Sequence, residues 1–156
     1  MRKFLYILLI SMVPIIELRG AIPVALGMGL PVIPSVIVCV IGNLIPVPFI
    51  YFFARKILYW GANKKYIGRF FRLCMEKGEQ AGQKLVKAAG RGGLFVALLI
   101  FVGIPIPGTG AWTGALGASF LNMGFKSTVI SVSLGVVLAG CIMAAVSAAG
   151  LHIFGL

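Results

Sequence analysis

The sequence predicts an all-α integral membrane protein. We expect an inverted repeat of a re-entrant helical hairpin plus a transmembrane helix, with amphipathic cytoplasmic helices between the repeats. The first observation is composition: mean hydropathy is +1.09 and only 11% of the 156 residues are charged, against about a quarter in soluble domains. The second is the length of the charge-free runs 20–54, 92–125 and 127–156, since a helix needs about 20 apolar residues to cross a bilayer.

The third observation is an internal repeat within what we expect to be a single membrane domain, 1–156. Residues 4–28 align without gaps on residues 94–118, and nine of the 25 positions are identical. Composition alone would give roughly two matches, so repetition is the better explanation. Both copies share Gly-Ala-x-x-x-Ala-Leu-Gly, which begins at Gly20 and at Gly110.

Repeat one is predicted to occupy 4–54, with a hairpin over 4–30 and a span over 32–53. An apolar segment of about a dozen residues is shorter than the roughly 30 Å hydrocarbon core, so two of them joined at a break predict a hairpin. Gly20 and Pro23 are the residues that we expect to break the helix. Such backbone is tolerated at membrane depth only where it is buried in protein or lines a watery cavity.

The first span carries a break of its own, Gly-Asn-Leu-Ile-Pro-Val-Pro at 42–48. Its prolines remove backbone donors, so carbonyls near Gly42 and Leu44 lose helical partners. Asn43 either bonds a neighbouring helix or lines a cavity.

The segment 55–91 contains ten of the fourteen cations. The positive-inside rule then predicts that it is cytoplasmic and that both termini lie outside. This rule explains the basic character of the chain better than nucleic-acid binding does, so we expect membrane lipids as partners and no nucleic acid. Ile67, Phe70, Phe71 and Cys74 share one helical face, which predicts an amphipathic helix lying on the membrane.

Repeat two is predicted to occupy 92–156, with a hairpin over 93–121 and a span over 126–147. Its break contains Pro105, Pro107, Gly108 and Gly110. A hairpin leaves on the side where it began and a span crosses once, so the second copy starts from the opposite side. Inverted repeats with broken helices are a recurring plan of secondary transporters. Two spans enclose little of a cavity, which favours a homodimer.

The chemistry available to this chain is limited. It has three carboxylates and one histidine, from which no catalytic group or metal cage can be assembled, so we predict neither an enzyme nor a cofactor. Glu17 and Arg19 are charges within apolar sequence, where an uncompensated charge costs about 2.5–3.5 kcal/mol on insertion scales. Either they form an ion pair that fixes the hairpin tip, or Arg19 holds an anionic group while Glu17 takes up a proton or a cation.

The second break supplies complementary groups. The glycines beside Thr109 expose backbone N–H groups, and a helix that begins there directs its positive end toward the tip. Thr109 and Thr113 add hydroxyls, and Trp112 adds an apolar wall with one donor. We therefore predict that the two tips face each other around a small anionic headgroup.

The motifs at these positions resemble those of the small multi-drug export proteins. They are Glu-Leu-Arg-Gly-Ala-Ile-Pro at 17–23, Gly-Asn-Leu-Ile-Pro-Val-Pro-Phe at 42–49 and Gly-Ile-Pro-Ile-Pro-Gly-Thr-Gly-Ala-Trp-Thr-Gly at 103–114. The resemblance covers nearly the whole chain. Distantly related DedA-like membrane proteins would imply facing re-entrant hairpins and polyprenyl-phosphate recycling, although this chain is shorter and has fewer intramembrane charges.

Three functional hypotheses follow. In the first, the protein translocates an amphipathic anion such as a polyprenyl-phosphate lipid, with protons coupled through Glu17. In the second, it exports small cationic drugs through proton exchange at Glu17. In the third, it is a membrane scaffold that does not transport and that recruits partners through 55–91.

Overall fold

The computed structural model describes residues 2–54, 56, 59–60, 68–89, 93–106 and 108–153, and the regular elements in these ranges are helices. In chain order they are α1 Arg2–Met12, α2 Glu17–Gly27, α3 Val32–Leu44, α4 Val47–Phe49, a π-helical turn Ile50–Ala54, α5 Gly68–Ala89, α6 Leu94–Gly103, α7 Ala111–Phe120 and α8 Phe125–Ile153.

Helices α1 and α2 pack against each other as a pair, and both contact α3. The amine of Lys3, in the first turn of α1, donates to the carbonyl of Met28, which follows α2, at 3.1 Å. The two outer ends of the pair are therefore neighbours, as in a hairpin. The pair extends from Arg2 to Gly27.

The turn of this pair is not where the glycine and proline pattern predicted it. Helix α2 runs without interruption through Gly20 and Pro23, and the chain turns at 13–16 instead. Pro14 explains the position, because a proline has no N–H with which to continue α1. The amide of Gly20 bonds to the carbonyl of Ile16 at 3.0 Å, and Pro23 removes only the bond that its own N–H would have made to the carbonyl of Arg19.

Two stretches of helix are long and apolar enough to cross a membrane, Val32–Phe53 and Phe125–Gly150. They correspond to the two predicted spans. The first is interrupted after Leu44, resumes at Val47 and changes to π-helical geometry at Ile50. Pro46 and Pro48 account for the interruption, since each removes one bond of the helical ladder.

Helix α5 is amphipathic, as predicted, but its buried face packs on protein. Gly78, Ala81, Gly82 and Leu85 are buried and recur at helical spacing, and the helix contacts α6 and α7. A Cβ at Gly117 of α7 would lie 3.0 Å from the amide nitrogen of Gly82. Small residues therefore let α5 and α7 approach closely, which a helix resting only on lipid would not require.

Part of the apolar face predicted for α5 is not described by the structure. Residue Ile67 and the side chains of Phe70, Phe71 and Cys74 are the undescribed part.

The second half of the chain has the same order of elements as the first. Helices α6 and α7 form a short pair joined by residues 104–110, and both pack against the long α8. Helix α8 also contacts α2 and α3, so the two halves share one core. That core includes Ile22, Leu98, Val102, Val132 and Val136. The inverted relation between the halves and the re-entry of the short pairs into a bilayer remain predictions.

Candidate functional site

The first turn of α2 brings Glu17 to the beginning of α7. Its Oε1 accepts a hydrogen bond from the backbone N–H of Trp112 at 3.2 Å, and the Ala111 amide is a second backbone contact of the same carboxylate. The side chain is 6% exposed. The first N–H groups of a helix have no partner within the helix, and an anion there interacts favourably with the helix dipole. Glu17 therefore caps α7 from 95 residues away.

The close approach of Glu17 depends on a glycine. A Cβ built at Gly110 would overlap the carboxylate of Glu17. The backbone of Gly110 is extended, with φ −155°, so its requirement is for space. Glu17 itself has a left-handed φ of 49°, a conformation that costs an L residue about 1–2 kcal/mol.

Arg19 bonds to the C-terminal end of α6, the first helix of the second pair. Its guanidinium donates to the carbonyl of Ile104 at 3.2 Å and to the carbonyl of Ile106, with a longer contact of 3.5 Å to the carbonyl of Val102. These carbonyls follow or end α6, where a helix leaves carbonyls without partners of its own and a cation is favoured. Glu17 and Arg19 are two residues apart on α2, and they thus bond to two different helix ends, the start of α7 and the end of α6.

The two charges do not bond to each other in this arrangement. Among the described residues, the hydrogen bonds of Glu17 and Arg19 go to backbone groups and to Thr109. Glu17 and Arg19 therefore make two separate sets of hydrogen bonds to the second helical pair, in place of the direct ion pair that was one of the two expectations. Both contacts join the start of α2 to the segment between α6 and α7.

Thr109 organises the break between α6 and α7. Its Oγ1 accepts from Nη2 of Arg19 at 3.0 Å and lies 2.9 Å from the carbonyl oxygens of both Ile104 and Ile106, to which it can donate. Gly108 precedes it with a φ of 86°, a conformation that favours glycine. The hydroxyl thus connects the guanidinium to the backbone of the break.

The amides predicted to face an anion are used within the protein. The N–H of Thr109 bonds to the carbonyl of Ile106 at 3.1 Å, and the N–H of Gly110 bonds to Oγ1 of Thr113 at 2.9 Å. The amides of Ala111 and Trp112, one and two residues further on, carry the carboxylate. Any external anion would have to replace Glu17 there.

The remaining predicted site residues lie in α2, in the break between α6 and α7, at the start of α7 and in α3. Gly20 lies within α2 and Pro23 is on its exposed side, away from the contacts of Glu17. Pro105 lies in the break, and Pro107 is outside the described residues. The indole N–H of Trp112 is buried and has no hydrogen-bond partner among the described residues.

Asn43 is 1% exposed, and neither polar atom of its side-chain amide has a hydrogen-bond partner among the described residues. Its neighbour Gly42 packs on the carbonyl of Leu8 and the hydroxyl of Ser11. This is the end of α1 that leads to Glu17, so Asn43 lies at the level of the turn. Ser131 of α8 donates to the carbonyl of Phe95 at 2.6 Å.

Two polar features of the structure were not predicted from the sequence. One is the set of carbonyls at 102–106 that accept hydrogen bonds from Arg19, for which the sequence offers no signal. The other is Thr128, which is fully buried with an unpartnered hydroxyl among the described residues. Its signal was a polar residue in an apolar run. Within the described residues, no group of His, Cys, Asp or Glu could hold a metal ion.

Comparison with known proteins gives one family. The family model described as "Putative small multi-drug export protein" matches residues 17–142. The match begins at Glu17 and continues into α8, so it includes both partners of each hydrogen bond that Glu17 and Arg19 make. No curated protein and no solved structure matches the chain.

Proposed function

The chain belongs to the small multi-drug export family, and on this premise we propose that it is a membrane transporter whose cargo binds between the two facing helical pairs. The cargo that we propose is an amphipathic anion, such as a polyprenyl-phosphate lipid. The observation that supports this is the position of Glu17: a carboxylate occupies the amides at the start of α7, 3.2 Å from the Trp112 nitrogen. An anion site is thus filled by an anion of the chain itself.

In the proposed mechanism, the cargo and Glu17 compete for these amides. Protonation removes the negative charge of Glu17 and weakens its contact with the helix N-terminus. A cargo phosphate can then accept from Ala111 and Trp112, and buried amides left without any acceptor would be unfavourable. One proton and one anionic charge are taken up together, so the net charge of the site is unchanged.

Arg19 supplies the second half of the anion site. Its guanidinium already reaches Thr109, three residues before Trp112, at 3.0 Å. Exchanging one carbonyl partner for a phosphate oxygen replaces a neutral acceptor with a charged one, and charge-assisted bonds of this kind are the stronger ones. The indole of Trp112 then forms one wall of the site.

The test is equilibrium binding of a short-chain polyprenyl phosphate to the purified full-length protein at pH 5 and pH 7. We expect Arg19→Ala to weaken binding by about tenfold or more, which corresponds to about 1.4 kcal/mol. Arg69→Ala, which removes an exposed cation of α5, is the matched control and should bind as the parent does. Glu17→Gln should lose the part of the pH dependence that arises from this carboxyl and keep the part that arises from titration of the phosphate itself. Equal binding by Arg19→Ala and the parent would rule this proposal out.

A second candidate function is efflux of small cationic drugs. It is favoured by the near-complete burial of Glu17, which bonds to backbone amides rather than to Arg19, so a cationic cargo could pair with the carboxylate. Drug resistance in cells that produce Glu17→Gln distinguishes the two, because loss of resistance is expected only for a cationic cargo that requires the charge.

The topology and assembly belong to the same proposal. We place 55–91 in the cytoplasm and both termini outside, and we propose a homodimer because two long apolar helices enclose little of a cavity. Labelling of Lys77→Cys with an impermeant reagent in right-side-out and inverted vesicles tests the orientation. Labelling from the outer face would contradict it. A monomer mass in lipid nanodiscs would contradict the dimer.

A further inference from the structure

We propose that a groove between α5 and α6 binds one anionic phospholipid, separately from the cargo site. The groove has a volume of about 430 Å³, and residues of both helices line it: Lys84 and Leu85 from α5, and Val96, Ala97, Ile100 and Phe101 from α6. None of these residues contacts Glu17 or Arg19 through the hydrogen bonds described above.

The shape and lining of the groove fit an acyl chain. Leu85 is 1% exposed and forms the floor, while Val96 and Ile100 are 55% and 46% exposed. The latter two are four residues apart, so they lie on the same side of α6 and form a continuous apolar strip. Ala97 between them is small, which leaves the strip open above Leu85.

The charge of the groove selects the headgroup. Lys84 is exposed at the groove and Lys87 follows it by one helical turn on α5. Residues 80–156 contain no Asp or Glu, so the second half of the chain offers no acidic side chain to neutralise these lysines. Basic residues of this kind attract anionic lipid headgroups. A phospholipid whose phosphate binds Lys84 would place an acyl chain beside Val96.

A second copy of the chain fits the same surface less well. A two-fold contact centred on this groove would bring the same patch of each subunit together, so the two copies of Lys84 would lie close to each other. Like charges brought together in this way repel each other. The anionic lipid is therefore the occupant that the charges favour.

The experiment is native mass spectrometry of the purified full-length protein, titrated with phosphatidylglycerol or with phosphatidylcholine of the same acyl chains. We expect the parent to retain one phosphatidylglycerol and to bind phosphatidylcholine more weakly. Lys84→Gln should weaken phosphatidylglycerol binding roughly fivefold, the factor for one cation near an anionic lipid. Lys77→Gln, on the same helix outside the groove, is its control and should bind as the parent does.

A second pair of variants tests the apolar part. Val96→Trp fills the groove and should abolish retention, whereas Val146→Trp, at a position 60% exposed on α8, should not. Arg19→Ala should retain the lipid, which separates this site from the cargo site. Equal binding of the two lipids, or equal effects of the two lysine variants, would overturn the proposal. The proposal would also be overturned if the parent were a dimer and Val96→Trp a monomer, because the groove would then be occupied by a second copy of the chain.

Discussion

Nη2 of Arg19 lies 3.0 Å from Oγ1 of Thr109, and these two residues occupy equivalent positions of the repeat, ninety residues apart. In an arrangement with two-fold symmetry, equivalent residues near the axis are brought together. Inverted repeats of secondary transporters place their binding sites at such an interface. The contact therefore favours the facing arrangement of the two helical pairs on which the proposed transport mechanism depends.

Loss of the Glu17 carboxylate should destabilise the contact with α7. We expect Glu17→Ala to lower the free energy of unfolding by about 1–3 kcal/mol because the Trp112 amide is left without an acceptor. Glu17→Gln keeps an acceptor oxygen and should cost less, about 0.3–1 kcal/mol for the lost charge at the helix N-terminus. Thermal unfolding in detergent measures both. Glu76→Gln, an exposed acid of α5, is the control, and equal melting of all four proteins would contradict the cap.

A side chain at Gly110 should displace the same carboxylate. We expect Gly110→Ala to lower stability by about 1–3 kcal/mol through overpacking. Gly27→Ala is the matched control because a Cβ there meets nothing within 4 Å, and it should melt no lower than the parent. In a double-mutant cycle, Glu17→Ala should remove most of the effect of Gly110→Ala, since it removes the atoms that overlap. Additive losses would show that the clash lies elsewhere.

The hydroxyl of Thr109 should be needed to hold Arg19. Thr109→Val keeps the shape of the side chain but removes the acceptor of the guanidinium, and we expect it to cost about 0.5–1.5 kcal/mol. Thr109→Ser retains the hydroxyl and should restore most of the loss. The measurement is again thermal unfolding, with binding of a short-chain polyprenyl phosphate as a second readout. If valine and serine behave alike, the hydroxyl does not hold Arg19.

A larger residue at Gly117 should separate α5 from α7. The Cβ of Gly117→Val would meet Ala81 and Gly82 of α5 at 3.2 Å or less, so we expect α5 to lose its docking. Hydrogen exchange of 68–89 should then become faster, because docked helices open less often. Gly124→Ala, where a Cβ has open space, should leave the exchange unchanged. Unchanged exchange in Gly117→Val would mean that α5 does not depend on this contact.

Much of the architecture was predictable because it depends on local properties. The two long apolar helices follow from hydrophobic length, and the pairs α1–α2 and α6–α7 follow from short apolar segments bounded by glycine and proline. The turn of the first pair was misplaced. Gly20 and Pro23 have the composition of a break, but their surroundings in α2 keep the helix continuous while Pro14 ends α1.

The site was predictable only as a set of residues. An acid and a base two positions apart in apolar sequence indicate a role for both, and the alignment of Arg19 with Thr109 indicates that the two breaks are related. Their partners could not be predicted, because the carbonyls at 102–106 and the amide of Trp112 carry no mark in the sequence. The unpartnered amide of Asn43 is likewise visible only once the helices around it are packed.

The sequence by itself determined a membrane protein of two similar halves, each with a charged or proline-rich break, since hydropathy and glycine or proline content act over a few residues. Only the tertiary structure decided that Glu17 caps α7 while Arg19 binds the end of α6. These contacts join residues more than 80 positions apart, so they exist only when α2 packs across the second pair. Two charges that lie two residues apart in sequence thereby bind the two ends of one break.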